Sequence, residues 1–495
     1  MSRLLVAIAV LLLSLSSGRV EADVFTYFDI DGSSQTVTAR LAATGDGFLV
    51  LELDDGRWQL VPELAVRQRV PGDDPTPVTC EVMGERLTKI FTPELFRVRI
   101  KDPFVVGLVL TAPLDDESVP KLDRFFDKAV ALLESVHGSY AKFIDRMGLP
   151  LEDPKFPLVM LIFETDEDFD EYAKLTTGGR GLSAGAMAGF YSGLSNWLSI
   201  RLDECDSFEV PLHEAIHQQV HNRGLLQRLA PVPVWFGEGI ATGFESEGNR
   251  VKVDPTRMSR NYGGNARRQF TVTFADVIEK DDAFRGDVLA GDAYTLAWCL
   301  HWLLVTTKPD EYTTFVKHLG TLEPLAPKSN DERLSEFKSM FDIEPGELEK
   351  IVGEQLAIES RKTRTPLTPK SRPVGRLVTQ DQMGVLELSL VGSGNATQGM
   401  GRLKNLSPFR TLTFHVQVAD QQYGIAWMAE RVAPGRRVSL EKRIMPSSQT
   451  DGYAVSIRSV VPDTSDEQQM REGFQPFFSP ASINSSNRPN RPGRP

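Results

Sequence analysis

A cluster of histidines constrains this chain more than any other feature. Three of its seven histidines, His213, His217 and His221, fall within nine residues, and the first two frame an HExxH motif that contains Glu214. Residues four apart on a helix share one face, about 6 Å apart in rise, so the imidazoles of His213 and His217 can hold one ion at about 2.1 Å each. Glu214 points to the side, where it can reach a water without binding the ion. His221 lies about 12 Å from His213 along the axis, too far to share the ion, and is predicted to support the site indirectly or to face solvent.

The residues around the motif predict a helix of about four turns. Asp206 or Ser207 is the predicted N-terminal cap, and Gly224 marks the C-terminal end. Apolar side chains at helical spacing supply a buried face: Val210, Leu212, Ile216 and Val220. We therefore expect the motif on a helix that packs against a core.

Glu238 is the predicted third ligand, because a catalytic zinc site needs three protein ligands and one open position. It is separated from His217 by twenty residues and lies in the segment PVWFGEGIA. The Pro- and Gly-rich start of that segment allows a second helix to return alongside the first, with its glutamate facing the histidine pair. The metzincin class is excluded, since Val220 and Arg223 stand where it requires glycine and histidine.

The HExxH motif, this gap and the segment WFGEGIA together resemble the gluzincins, which are the thermolysin-like and aminopeptidase-like zinc peptidases. More closely, they resemble bacterial exported proteins with a peptidase-MA-like domain. The resemblance covers roughly residues 91–360 and implies a zincin-type α+β core. It also implies that His213, His217 and Glu238 bind Zn2+ and that Glu214 is the general base.

The resemblance extends to a residue that stabilises the oxyanion. Tyr294 opens the segment YTLAW and resembles the tyrosine of the aminopeptidase-like branch in position, although an ordinary packing role is an equal alternative. Tyr262, in a Gly-rich stretch, is the second candidate.

The sequence departs from the family pattern at two positions, and the first of them determines the predicted specificity. Aminopeptidases carry a glutamate that holds the substrate's free amine where Ala188 stands here. We therefore expect an endopeptidase that accepts a peptide along an edge strand from Ala188 to Tyr191 by β-augmentation.

Thermolysin carries an aspartate four residues past its glutamate ligand to orient a histidine, and Thr242 stands at that position. The partner of the histidine must then lie elsewhere.

The first 22 residues predict a secretory signal peptide. Arg3 precedes an apolar run from Leu4 to Leu15, and the small residue Ala22 offers a cleavage site. Twelve apolar residues span about 18 Å, short of the roughly 30 Å hydrocarbon core, and no other stretch is long enough for an integral membrane span. The protein is expected to be secreted or periplasmic.

The rest of the chain predicts a multidomain α+β protein. Residues 23–70 indicate a small β barrel that resembles the SH3-like SLA1-homology modules, and residues 80–360 hold the peptidase-like domain. In that domain, apolar spacing predicts a long helix over Leu122–Phe143 and a buried strand over Leu158–Phe163. A linker at 361–373, a β-rich domain at 374–462 and a disordered tail at 479–495 complete the prediction.

Composition limits the partners. The net charge of −12 argues against nucleic acid or anionic lipid as the main partner, which leaves a peptide or protein substrate. The three cysteines match no zinc-binding spacing and are expected to be buried thiols. The oligomeric state stays open.

Two other functions are consistent with the same residues. The flanking β regions, Ala188 and Thr242 also suit a non-catalytic binding or scaffold protein with a degenerate zincin domain. The same ligands would equally serve a zinc hydrolase of a non-peptide amide.

Overall fold

The computed structural model describes residues 23–29, 31–177, 188–206, 208–245, 255–267, 270–284, 290–364, 367, 376–378, 383–393, 396–420, 422–446 and 453–479. It shows a multidomain α+β protein with several separate sheets and, within those ranges, twelve α-helices. The predicted signal peptide and all but the first residue of the predicted tail lie outside the described residues.

The N-terminal sheet has five antiparallel strands in the order β4-β3-β2-β1-β5. They are β1 (Asp23–Phe28), β2 (Ser34–Gly45), β3 (Phe48–Glu52), β4 (Trp58–Pro62) and β5 (Val66–Pro71). Alternate residues of β1 point inward, which places Phe25 and Tyr27 in a small core with Leu51 and Val61. The likeness to SLA1-homology modules stays a prediction.

The central sheet also has five strands, in the order β6-β7-β8-β10-β9. The elements of this region are α1 (Cys80–Ile90), β6 (Phe96–Lys101), β7 (Phe104–Val109), α2 (Val119–Arg146), β8 (Leu158–Phe163), α3 (Asp166–Thr177), β9 (Gly189–Tyr191) and β10 (Leu198–Arg201). Strands β7, β8 and β10 run parallel, while β6 and β9 are antiparallel strands at the two edges. The short strand β9 therefore lies at an edge, as the sequence predicts.

Helices cover both faces of the central sheet. Every residue of β8 is buried, which is why its sequence is an unbroken apolar run. The predicted long helix is confirmed as α2 and buries residues such as Phe126 and Leu133 against one face. On the other face, Met83 and Leu87 of α1 pack with Phe169 of α3.

A helical region follows and carries the histidine motif. Its helices are α4 (Glu209–Asn222), α5 (Val234–Phe244), α6 (Arg260–Asn265), α7 (Phe274–Glu279), α8 (Ala290–Thr307), α9 (Pro309–Gly320), α10 (Asn330–Phe341) and α11 (Leu348–Thr363). Helix α5 packs against both α4 and α8. Its approach to α8 requires Gly239, because a Cβ there would lie 2.7 Å from the backbone oxygen of Ala297. Helix α11 runs to Thr363, so the predicted start of the linker at residue 361 is wrong.

The C-terminal region contains two four-stranded sheets, ordered β11-β12-β13-β16 and β17-β14-β15-β18. Its elements are β11 (Arg376–Val378), β12 (Gly384–Ser393), β13 (Ala396–Asn405), β14 (Leu412–Ala419), β15 (Gly424–Val432), β16 (Arg437–Met445), β17 (Ala454–Val460), α12 (Ser465–Glu472) and β18 (Phe477–Phe478). Because Phe478 pairs with Gly424, this region reaches past its predicted end at residue 462. The boundary is wrong because α12 is polar and β18 is too short to leave a periodic signal.

The hydrophobic clusters show which regions of the molecule share a core. Helical and C-terminal residues share one large cluster, in which the rings of Phe125 and Phe409 lie 6.2 Å apart, whereas the N-terminal sheet has its own cluster. The cysteines Cys80, Cys205 and Cys299 are free and buried, as predicted. Among the described residues, we find no helix with the length and apolar character needed to cross a membrane.

Candidate metal centre and active site

Three predicted ligands converge on one point. Helix α4 places His213 and His217 one turn apart, and α5 brings Glu238 against them. The Nε2 atom of His213 lies 2.9 Å from Oε2 of Glu238 and 3.1 Å from Nε2 of His217, and the third separation, between His217 and Glu238, is 3.6 Å. The structure thus joins residues from two helices into one compact donor set.

This donor set fits a zinc ion. Two ligands that each lie about 2.1 Å from a tetrahedral zinc are about 3.4 Å apart, and the three separations bracket that value. Two imidazoles and a carboxylate are also the ligand types that zinc prefers at catalytic sites. When both Nε2 atoms are unprotonated, their lone pairs face each other and repel. A cation bound between them would accept both lone pairs and remove this repulsion.

The electrostatics of the cluster favour a positive charge. Burial would lower the pKa of His213, but hydrogen bonds to Glu238 and Glu245 outweigh it and hold that pKa well above its usual range. Burial would raise the pKa of Glu238, yet the nearby imidazoles of His217 and His213 hold it below its usual range. The carboxylate of Glu238 therefore stays ionised beside a site that suits a proton or a metal cation.

Glu245 is the partner that orients His213. Its Oε1 lies 2.9 Å from Nδ1 of His213, which places a proton on Nδ1 and leaves Nε2 free to bind a metal. Thr242, at the position where thermolysin has its aspartate, instead donates from Oγ1 to the backbone oxygen of Glu238. The expectation that the partner lies elsewhere is thus met three residues further on, at the end of α5. Sequence reasoning did not identify Glu245, because only the direction in which α5 ends brings it back to His213.

Tyr262 belongs to this outer layer of the site. Its hydroxyl donates to Oε2 of Glu245 at 2.7 Å. Since that bond holds the phenol against Glu245, the structure does not favour Tyr262 as the second candidate for an oxyanion donor.

Tyr294 lies at the cluster. Its ring centroid is 6.1 Å from that of His213, and Glu238 is the charge that acts most strongly on its phenol. Burial and the surrounding carboxylates, Glu238 first, raise the pKa of Tyr294 well above its usual value, so the hydroxyl keeps its proton. Tyr294 is thus available as a neutral hydrogen-bond donor.

Glu214 faces the edge strand of the central sheet. Its Oε2 accepts a hydrogen bond from the backbone N–H of Tyr191 on β9 at 2.8 Å. Burial raises the pKa of Glu214, and the imidazoles of His213 and His217 oppose that rise. The bond from Tyr191 fixes the position of the carboxylate relative to β9.

Tyr191 is held at two further points. Its hydroxyl donates to Oδ1 of Asn196 at 2.7 Å, and its ring stacks on His221 with centroids 5.5 Å apart. Burial lowers the pKa of His221 to about 3, so this imidazole is neutral. His221 is therefore an aromatic support for the edge strand, and the prediction of a solvent-facing role is wrong.

The start of α4 differs from the prediction. Phe208, with φ of 55°, is the cap residue, and no side chain caps the helix. Asp206, one of the two predicted caps, binds Nζ of Lys404 at 2.9 Å instead, while Ser207 lies outside the described residues. The C-terminal end agrees with the prediction, since Gly224 adopts φ of 78° just past Asn222.

Comparisons with known proteins add limited information. Residues 210–326, from α4 through α9, match a family described as a protein of unknown function, DUF1570. No curated protein matches the chain. Among solved structures, the chain is weakly similar to the ZmpB metallopeptidase from Clostridium perfringens, with 10% identity, a TM-score of 0.22, and coverage of 90% of this chain and 89% of that one. A similarity this low establishes neither a common fold nor a common activity, and the likeness to gluzincins remains a prediction from the motifs.

Proposed function

We propose that this protein is an exported zinc-dependent endopeptidase. The observation that carries the proposal is the convergence of His213, His217 and Glu238, together with the contact from Glu245 that leaves Nε2 of His213 available. Among the described residues, no fourth His, Cys, Asp or Glu joins this donor set. A site with three ligands is typical of catalytic rather than structural zinc.

The residues of the chain divide the work of peptide hydrolysis. When bound, zinc supplies a Lewis acid that polarises the scissile carbonyl and eases deprotonation of water. Glu214, held through one oxygen by Tyr191, offers its other oxygen to the attacking water and passes the proton to the leaving amine. Tyr294, whose phenol stays neutral, donates its hydroxyl to the carbonyl oxygen as negative charge develops there.

The edge strand supplies the binding surface for an extended substrate. Ala188 accepts a hydrogen bond from Arg201 and Ser192 donates one to Trp197, so these alternate residues face β10. Gly189 and Tyr191 consequently direct their backbone groups away from β10. The N–H of Tyr191 is taken by Glu214, which leaves the backbone of Gly189 and the carbonyl of Tyr191 to pair with a peptide. Ala188 provides no carboxylate for a free amino terminus, which favours cleavage within a chain.

The metal assignment is tested by two matched substitutions on one helix. His217→Ala removes a ligand and should abolish stoichiometric zinc binding, measured by metal analysis of the purified protein. His221→Ala removes a neutral imidazole one turn further along and should keep one zinc per chain. Equal zinc content in the two variants would refute the assignment.

The general base is tested by Glu214→Gln. This change keeps the shape of the side chain and should leave zinc bound, while hydrolysis of a casein-derived peptide falls by about 10²- to 10⁴-fold. Hydrolysis at the wild-type rate would exclude Glu214 as the base. A wild-type protein that holds zinc but cleaves no member of a broad peptide library would instead favour a binding function.

Glu245→Gln tests the partner of His213. The variant should bind zinc about 10- to 100-fold more weakly, because the amide is a poorer acceptor for the Nδ1 proton. Competition with a chromogenic chelator measures this affinity. Tyr262→Phe is the control: it leaves the carboxylate on His213 and should weaken zinc binding much less.

A further inference from the structure

The N-terminal sheet touches the loop that follows the edge strand β9. The turn between β3 and β4 approaches the loop of residues 192–197, and the backbone N–H of Trp58 donates to the carbonyl of Leu194 at 2.7 Å. The guanidinium of Arg57 lies 5.7 Å from the ring centroid of Trp197. Arg57 in the turn and Trp58 at the start of β4 thus contact two residues of one loop.

Arg228 joins the same two segments through its side chain. This residue lies in the connection between α4 and α5, and its side chain is only 7% exposed. It donates to the carbonyl of Gly56 at 2.8 Å and to the carbonyl of Gly193 at 3.3 Å, and it stacks 4.0 Å from the ring centroid of Trp58. This buried guanidinium, which belongs to the segment between the two ligand helices, therefore contacts both the N-terminal sheet and the loop after β9.

Helix α4 holds the other side of that loop. Asn196 exchanges two side-chain hydrogen bonds of 2.7 Å with Asn222, and Gln218 donates to its backbone oxygen at 3.2 Å. Asn196 also receives the hydroxyl of Tyr191. The loop is consequently clamped between α4 and the N-terminal sheet, and Tyr191 is fixed at its base.

The contacts of this loop add to the few sheet bonds that hold β9. The strand has three residues and pairs with β10 at an edge of the sheet, so few ladder bonds hold it. Yet its Tyr191 N–H positions Glu214. A small displacement of the loop would move both the substrate-binding edge and the carboxylate.

We propose that the N-terminal sheet acts as a brace that holds β9 in place against Glu214, with Arg228 as the positioning residue that couples the two. This inference rests on the peptidase function proposed above. It assigns the sheet a role in aligning the edge strand with the base. Arg228 contacts none of the three ligands through the bonds described, so its effect should be on substrate turnover and not on metal content.

The test compares two arginines that each stack on an aromatic ring of the N-terminal sheet. Arg228→Met removes the coupling, while Arg67→Met removes a guanidinium that lies 5.0 Å from the ring of Phe28 on the same sheet. Hydrogen exchange of the full-length protein, read by mass spectrometry over residues 188–201, should be at least about tenfold faster in Arg228→Met only. Zinc content should stay at one per chain in both variants.

Kinetics on a casein-derived peptide give the second reading. In Arg228→Met, kcat/KM should fall by about 10- to 100-fold, through both a lower kcat and a higher KM, because the base and the binding edge move together. Arg57→Ala changes a half-exposed side chain whose buried ion-pair partner, Asp55, keeps a second cation in Arg86, and it should show the same pattern at smaller size.

Three results would refute the proposal that the N-terminal sheet braces β9. Unchanged exchange over residues 188–201 in Arg228→Met would show that the loop does not depend on the N-terminal sheet. Faster exchange with unchanged kcat/KM would show that the loop does not align the base. Loss of zinc would show that Arg228 acts through the ligand helices instead. If the wild-type protein cleaves no peptide, the peptidase proposal fails by itself, and the exchange comparison still decides whether the loop is braced.

Discussion

The two β regions that flank the helical core are attached to it in different ways. The C-terminal region shares the large hydrophobic cluster, and one buried ion pair ties it to the central sheet: Arg410, 1% exposed, binds both carboxylate oxygens of Glu164, 3% exposed. The N-terminal sheet keeps a separate core and meets the rest of the chain through several polar and stacking contacts. The first attachment combines a shared hydrophobic core with a buried ion pair, while the second is distributed over polar contacts and lies next to the candidate site.

Both members of the Arg410–Glu164 ion pair make further hydrogen bonds to the backbone. Arg410 also donates to the backbone oxygens of Ala112 and Pro113, and Glu164 also accepts from the backbone N–H of Thr111 at 2.9 Å. Removing the guanidinium would leave a buried carboxylate and two carbonyls without their partner. Such a loss is costly because a charge in the interior cannot be solvated.

The largest expected effect follows from that ion pair. Arg410→Ala should lower the free energy of unfolding by about 3–5 kcal/mol, measured by denaturant titration. Arg431→Ala is the matched control in the same region, since its ion pair with Asp463 is exposed on both sides, and it should leave the denaturation midpoint unchanged. Equal losses in the two variants would show that burial of the Arg410–Glu164 pair adds nothing to its contribution.

A moderate effect is expected where the N-terminal sheet meets the chain most closely. Gly56 has φ of 83°, and a Cβ there would lie 2.7 Å from the ring of Phe156, so Gly56→Ala should cost about 1–3 kcal/mol of unfolding free energy. Gly32→Ala introduces a similar backbone strain at φ of 80° with open space around the added carbon. The difference between the two variants, measured by chemical denaturation, isolates the collision with Phe156. Equal losses of unfolding free energy in the two variants would mean that Phe156 moves aside without a measurable cost.

The smallest effect is expected from one contact of the distributed interface. Lys155 binds Glu52 at 2.6 Å, but Glu52 also accepts from Arg40 and from the indole of Trp58. Lys155 is 40% exposed, so Lys155→Ala should cost less than about 1 kcal/mol. Denaturation of this variant beside Arg410→Ala compares the loss of one cation at each attachment. A loss of similar size at Lys155 would remove the contrast between the two regions.

Local patterns in the sequence predicted the elements that carry the site. The helical spacing around HExxH places His213 and His217 on one face in any helix, and the segment around Glu238 contains its own helix signal. The all-apolar strand β8 and the long helix α2 were equally readable. These features depend on neighbours within a few residues, which is the range over which a sequence pattern is informative.

What the sequence could not indicate depends on contacts between distant residues. Glu245 reaches His213 across 32 positions, and Arg228 reaches Gly56 across 172. The start of α4 was missed for a related reason: Asp206 is drawn away by Lys404, nearly two hundred residues later, and Phe208 begins the helix without a side-chain cap. No local propensity encodes such pairings.

The three buried thiols give the molecule separate internal reporters. Cys80 lies on α1 beneath the central sheet, Cys205 borders a cavity of about 820 Å³ next to the C-terminal region, and Cys299 lies on α8, the helix that supports α5. Burial raises the pKa of Cys80 to about 12 and holds those of Cys205 and Cys299 above their usual value, so the folded protein keeps all three protonated. An alkylating reagent can then modify each sulfur only when its own surroundings open transiently. Pulsed alkylation would rank the order in which the parts of the chain loosen, without any introduced label.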